Sequence, residues 1–107
     1  MDIKIENTFE FIPEWNNNRG SENPVIVTGN YLTNNQLDKC LKIGTEISID
    51  RKQYLRESKI KISNLTVGGK PIVSGDDLLS SCGLSQLYTE ITTHLIEINN
   101  QEPSKNS

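Results

Sequence analysis

Lys59-Ile60-Lys61-Ile62-Ser63-Asn64-Leu65-Thr66-Val67-Gly68-Gly69-Lys70-Pro71-Ile72-Val73, running on through Ser74-Gly75-Asp76-Asp77 to Ile98, is the stretch whose reading decides the fold. Ile60 and Ile62 alternate with polar neighbours, and Leu65 and Val67 follow at the opposite parity. A period of two with β-branched residues predicts a strand, and the parity change at Ser63-Asn64 predicts a bulge or short break. Gly68-Gly69 supplies the two positive-φ residues of a tight hairpin turn. Pro71 lacks an N–H, which places the return strand at an edge. Ser74 and Asp77 stand at capping-box spacing, and Asp76 and Asp77 put negative charge at the positive end of the helix dipole. A one- to two-turn helix with Leu78 and Leu79 inward is expected there, closed at Cys82-Gly83.

Leu84, Leu87, Ile91, Leu95 and Ile98 then recur at spacings of three and four, the apolar stripe of an amphipathic helix. Burying five such side chains stabilises by roughly 1.5–3 kcal/mol each before entropy is counted. The Lys59–Val73 hairpin is the nearest surface to receive them.

Working back towards the start, Ile3, Ile5, Phe9 and Phe11 alternate with polar residues and read as one strand, interrupted near Asn7 and closed by Pro13. Asn16 to Pro24 reads as a polar loop. Strand character resumes at Val25-Ile26-Val27 and continues towards Tyr31, so the two strands are expected to pair around that loop. Thr33 and Gln36 form a capping box that opens a helix expected over Asn34–Lys42 and ended by Gly44. Glu46-Ile47-Ser48-Ile49 is strand-like. Asp50 caps a further short helix with Tyr54 and Leu55 inward. The expected fold is a small α+β domain over residues 1–98, built of antiparallel β-hairpins, short helices and a C-terminal amphipathic helix packed on the sheet. Residues 99–107 contain no apolar side chain and read as a disordered tail.

The chain has 107 residues, 34% of them hydrophobic, and a net charge of -3. That predicts one domain with a modest core and argues against a nucleic-acid or anionic-membrane binder. Met1-Asp2-Ile3-Lys4 lacks the cationic start and apolar run of a signal peptide, and no stretch approaches a membrane span, so a soluble cytoplasmic protein is expected. Cys40 and Cys82 are far apart and read as reduced thiols.

No P-loop, nucleophile elbow or dinucleotide-binding fingerprint occurs. Glu90, His94 and Glu97 share a helical face, but a metal ion would need further ligands; the pattern reads as ordinary helix pairing, and neither metal nor cofactor is expected. Arg51, Lys52, Arg56, Lys59 and Lys61 form a basic cluster that Asp50 and Glu57 interrupt, which reads as a solvated face. Trp15 is the single tryptophan and adjoins a polar loop. It either folds back over the core or anchors an interface, where tryptophan is favoured. Phe11, Pro13, Glu14 and Trp15, with Tyr88 and His94 on the last helix, are the candidate partner-binding residues. The chemistry points to a protein that works by contact rather than to an enzyme.

Two stretches carry a resemblance. Phe9-Glu10-Phe11-Ile12-Pro13-Glu14-Trp15-Asn16-Asn17-Asn18 resembles an F-x-x-P-E-W-N-x-N opening of small proteins encoded by tailed phages. Asn64-Leu65-Thr66-Val67-Gly68-Gly69-Lys70-Pro71-Ile72, followed by Gly75-Asp76-Asp77-Leu78-Leu79, resembles another portion of the same kind of protein, the tail assembly proteins or tail assembly chaperones. The resemblance covers about a quarter of the chain. It implies a small protein of the bacterial host cytoplasm, without a cofactor, that binds the tape-measure protein or other tail proteins. A structural virion component and a phage protein that binds a host factor are the alternatives, and homo-oligomerisation is open.

Overall fold

A computed structural model describes residues 1–100. Its central element is a three-stranded antiparallel sheet in which β2 (Ile26–Asn30) lies between β1 (Thr8–Phe11) and β5 (Lys61–Ser63). The register sets Phe11 beside Val27 and Val27 beside Ile62, a continuous row across three strands. Val27 and Ile62 are buried, and they share the core with Leu87, Ile91 and Leu95 of the last helix, α4 (Ser85–Asn100), and with Leu84 just before it. The predicted stripe is thus the buried face of α4, with Ile98 half-buried at its end. The α+β class and the helix packed on a sheet are as expected.

Each of the three expected helix caps has a visible counterpart. Thr33 caps α1 (Asn34–Lys39) in a full capping box: Gln36 N–H donates to Thr33 Oγ1 at 3.2 Å, and Thr33 N–H donates to Gln36 Oε1 at 2.9 Å. Asp50 caps α2 (Arg51–Glu57), which buries Tyr54 and Leu55. Ser74 caps α3 (Gly75–Ser80) through the Asp77 N–H. The Asp77 carboxylate reaches back to the Val73 N–H at 3.0 Å, and this bond chiefly lowers its pKa below the ordinary 3.8.

The strand pairing departs from the sequence reading in informative ways. Lys59–Val73 is not one hairpin. Asn64 takes a φ of 66° and donates through Nδ2 to Pro24 O, which ends β5 and starts a separate short hairpin of β6 (Thr66–Val67) and β7 (Lys70–Pro71). Gly68 and Gly69, at φ 58° and 82°, make its turn. β5 instead pairs with β2, and the returning chain touches it where Ile62 N–H donates to Val73 O.

The first strand is shorter than expected. β1 begins at Thr8 because β2 runs out at its partner Asn30, so Ile3 and Ile5 have no strand to join and stay exposed. Helix α1 ends at Lys39, not Lys42. Leu41–Ile43 forms β3, which pairs with β4 (Ile47–Ile49) in a two-stranded ribbon. Gly83 adopts a φ of 82° as expected, but at the junction into α4 rather than as the cap of α3, which ends at Ser80 with Ser81 as its C-cap. At the other end, α4 continues through Asn99 and Asn100, two residues into the expected tail. Leu32 N–H donates to Asn99 Oδ1, and Asn100 Nδ2 donates to the Tyr54 hydroxyl at 2.6 Å. The remainder of that tail, residues 101–107, lies outside the described residues.

Candidate functional site

The residues singled out around Trp15 assemble into one feature where the loop after β1 meets α4. Asn16 and Asn17 take left-handed φ values of 53° and 56°, which asparagine tolerates better than most residues, and fold Trp15–Gly20 into a kinked 3₁₀ segment. Asn18 then closes the loop from inside. Its Nδ2 donates to Pro13 O and Val25 O at 2.9 and 3.0 Å, and its Oδ1 accepts from Val25 N–H at 2.7 Å. A buried amide that joins both ends of the loop satisfies three backbone groups that would otherwise be desolvated without partners.

Glu90 fastens this loop to α4. Its carboxylate accepts the Glu14 N–H at 2.6 Å and the Trp15 N–H at 2.9 Å. Both oxygens are therefore engaged by backbone, and among the described residues no group of three His, Cys, Asp or Glu side chains is placed to hold a metal ion. One turn on, His94 lies flat against Phe11 and meets the edge of Phe9, which in turn meets Tyr31 edge-on at 5.9 Å. Burial depresses the His94 pKa below its ordinary 6.5; Arg19 adds to this, while Glu97 and Glu90 oppose it. The lowered value favours the neutral imidazole in the stack.

The six predicted contact residues separate accordingly. Phe11 and His94 come together as a stack, and Trp15, tied by its N–H to Glu90, is like them half-buried; Phe11 and Trp15 pack on the core. Glu14 is exposed beside them, but its carboxylate is already paired with Arg19, whose Nε also donates to Ile12 O. Pro13 is fully buried and so offers no surface to a partner; its role is to present a carbonyl to Asn18. Tyr88 is not part of the group. It lies on the flank of α4 facing α2, where burial raises its phenol pKa and Arg51, Asp50 and Arg56 act on it. Arg51 of the basic cluster is likewise drawn into the fold, donating to Thr92 Oγ1 and Thr93 Oγ1 at 2.9 and 3.0 Å. Cys40 is buried, with its thiol pushed up to about 11 chiefly by burial, and Cys82 is exposed; neither is bonded to the other.

One uncovered apolar feature was missed by the sequence reading. In the β3–β4 ribbon Leu41 pairs with Ile49 and Ile43 with Ile47, so all four side chains fall on one face, with Lys42 and Ser48 on the other. Leu41 is 42% exposed, Ile43 84%, Ile47 71% and Ile49 46%. The base of this face opens into a recess of about 460 Å³ lined by Leu37, Leu41, Ile49, Tyr54 and Asn100. The alternation at Ile43, Ile47 and Ile49 is visible in the sequence. Such a pattern normally marks a strand with one face buried, so it did not single these residues out as exposed.

Among the described residues no helix is long and apolar enough to cross a membrane. Comparisons with protein families, with characterised proteins and with solved structures found no match to this chain.

Proposed function

We propose that this protein acts by contact with other proteins, as an assembly factor for phage tail components such as the tape-measure protein. The observation that supports a contact role is the uncovered aliphatic face of the β3–β4 ribbon. Four large exposed side chains on one face make an apolar patch, and exposed apolar patches on a monomer mark interaction sites. The ionisable groups with shifted pKa values do not gather into one cleft: His94 is stacked on Phe11, Asp77 caps a helix, Cys40 is sealed in the core and Tyr88 is on another flank. The tail-specific part of the reading is supported by the resemblance at Phe9–Asn18 and Asn64–Leu79. The second reading, a structural virion component, rests on the same resemblance.

Affinity capture of the tagged full chain from phage-infected cells, followed by mass spectrometry, tests this. Recovery of an identified tail protein is expected. Recovery of a host protein alone would overturn the tail assignment. Immunodetection in purified particles separates the two tail readings: an assembly factor is absent, a structural component present.

A further inference from the structure

We infer that the recess between the end of α2 and β5, rimmed by Arg56, Lys59 and Lys61, is the docking site for an acidic segment of a protein partner. The recess shares no residue with the ribbon face. The inference rests on the contact reading above only in taking the partner to be a protein.

The fold gathers the cations and keeps the neighbouring acids away. Arg56 stands in the last turn of α2. Lys59 then takes a left-handed φ of 49°, which turns the chain out of the helix and towards β5. Along Ile60–Ser63 the side chains alternate, so Ile60 and Ile62 enter the core and Lys61 stays outside. The three cations thereby line one recess of about 840 Å³. The acids that interrupt this basic cluster in the sequence are engaged elsewhere: Asp50 accepts the Gln53 N–H, Glu57 accepts from Gln53 Nε2, and neither lines the recess. Asp76 is the one carboxylate among its lining residues. Among the described residues none of the three cations makes a salt bridge.

The form of the recess selects a segment of chain over a small anion. Small-molecule sites enclose most of their ligand and fix it with a few convergent polar groups. Here the three charged side chains are exposed, and the Ser74 hydroxyl already accepts the Asp77 N–H. That suits a segment laid across the surface and held by charge. Val73, 54% exposed, lines the same recess and offers an aliphatic contact beside the cations. The fitting segment therefore carries carboxylates around one aliphatic side chain.

Charge outside the recess decides against a long polyanion. The chain as a whole carries a net charge of -3, so the surface beyond these three cations is more acidic still. A nucleic acid bears a charge on every nucleotide and would run past the recess onto that acidic surface, where like charges repel. The charge of a short acidic segment ends with the recess. Attraction between exposed charges is modest and screened by salt, so the contact is reversible and salt-sensitive.

Fluorescence anisotropy of a labelled synthetic peptide, with glutamates on both sides of a leucine, titrated with the purified full chain, tests this. Binding that weakens as salt is raised is expected, and a glutamine version of the peptide should not bind. The double variant Lys59→Glu, Lys61→Glu should weaken binding by about tenfold or more, because the reversed charges repel the same carboxylates. Both side chains are exposed, so its Tm should not change. Lys39→Glu, Lys42→Glu makes the same change of net charge outside the recess and should have a much smaller effect. Amide shifts caused by the peptide should centre on Arg56, Lys59, Lys61 and Val73. No binding at low salt, an equal loss in the two double variants, shifts confined to other residues, or tighter binding of a single-stranded oligonucleotide of equal charge would each overturn the inference. Because the peptide is synthetic and the chain pure, failure here leaves the capture experiment to decide the contact function. If capture recovers no tail protein while the peptide binds as expected, the tail reading falls and this site stands.

Discussion

The imidazole of His94 lies on the ring of Phe11 with centroids 3.9 Å apart and planes 9° from parallel. The stack joins the start of the sheet to the middle of α4, and it holds a titratable group in the uncharged form. As pH falls, the unfolded chain takes up its proton near 6.5, before the folded protein does, because burial lowers the folded value. Between those two values the unfolded state carries more protons, so stability rises with pH across that window. It is full above 6.5 and carries the whole penalty below the folded pKa. Denaturant unfolding at pH values on either side of the window should show this slope. His94→Phe, which keeps a ring in the stack, should remove this contribution to it.

Glu90 should report on the loop through the single tryptophan. Glu90→Ala removes the acceptor for the Glu14 and Trp15 N–H groups. The expected cost is about 2 kcal/mol, since both bonds are made to a charged acceptor and one donor is partly buried. Trp15 emission should move to the red as the loop loosens. Glu90→Gln, which keeps a carbonyl acceptor, should fall between the two.

Asn18→Ala leaves the Val25 N–H and the carbonyls of Pro13 and Val25 buried without their partner. A loss of about 3 kcal/mol is expected from thermal or chemical unfolding. Asn18→Asp keeps the bond from Val25 N–H but can no longer donate, so it should also be destabilising.

Gly29 is required for close approach rather than for turn geometry. It sits opposite Phe9 in the sheet, and a Cβ there would lie 2.9 Å from Phe9 Cζ and 3.1 Å from Ser58 O. Gly29→Ala is therefore expected to destabilise by about 1–3 kcal/mol, the range for overpacking a filled core. Its amide spectrum should show shifts centred on Phe9 and Ser58.

Ser58 presents the opposite case. Its hydroxyl is buried and has no hydrogen-bond partner among the described residues. Ser58→Ala removes an unpaired polar group and changes little else. The midpoint of denaturant unfolding should be unchanged or raised, by up to about 1 kcal/mol in stability.

The resemblance at Phe9–Asn18 acquires a physical account that binding does not need. Pro13 and Asn18 are buried and bonded to one another, and Asn16 and Asn17 supply left-handed turns. Those residues are used to build the loop. Contact surface nearby is left to Phe11, Trp15 and His94, of which only part is exposed.

What the sequence by itself determined is what is decided within one turn of helix or one strand. Thr33 with Gln36, Asp50 and Ser74 mark their helix starts because a capping side chain bonds a backbone N–H three residues away. Gly68-Gly69 sets its hairpin because its neighbours are adjacent in the chain, and the stripe from Leu84 to Leu95 names its own buried face. The tertiary structure alone decided which strand β5 joins, that Glu90 reaches Glu14 and Trp15 across the chain, and that the ribbon's aliphatic face stays uncovered. An alternating run reads the same whether or not something lies over it, and a glutamate on a helix gives no local sign of the loop it will hold. Those outcomes are selected by competition among surfaces distant in the chain, which no local stretch encodes.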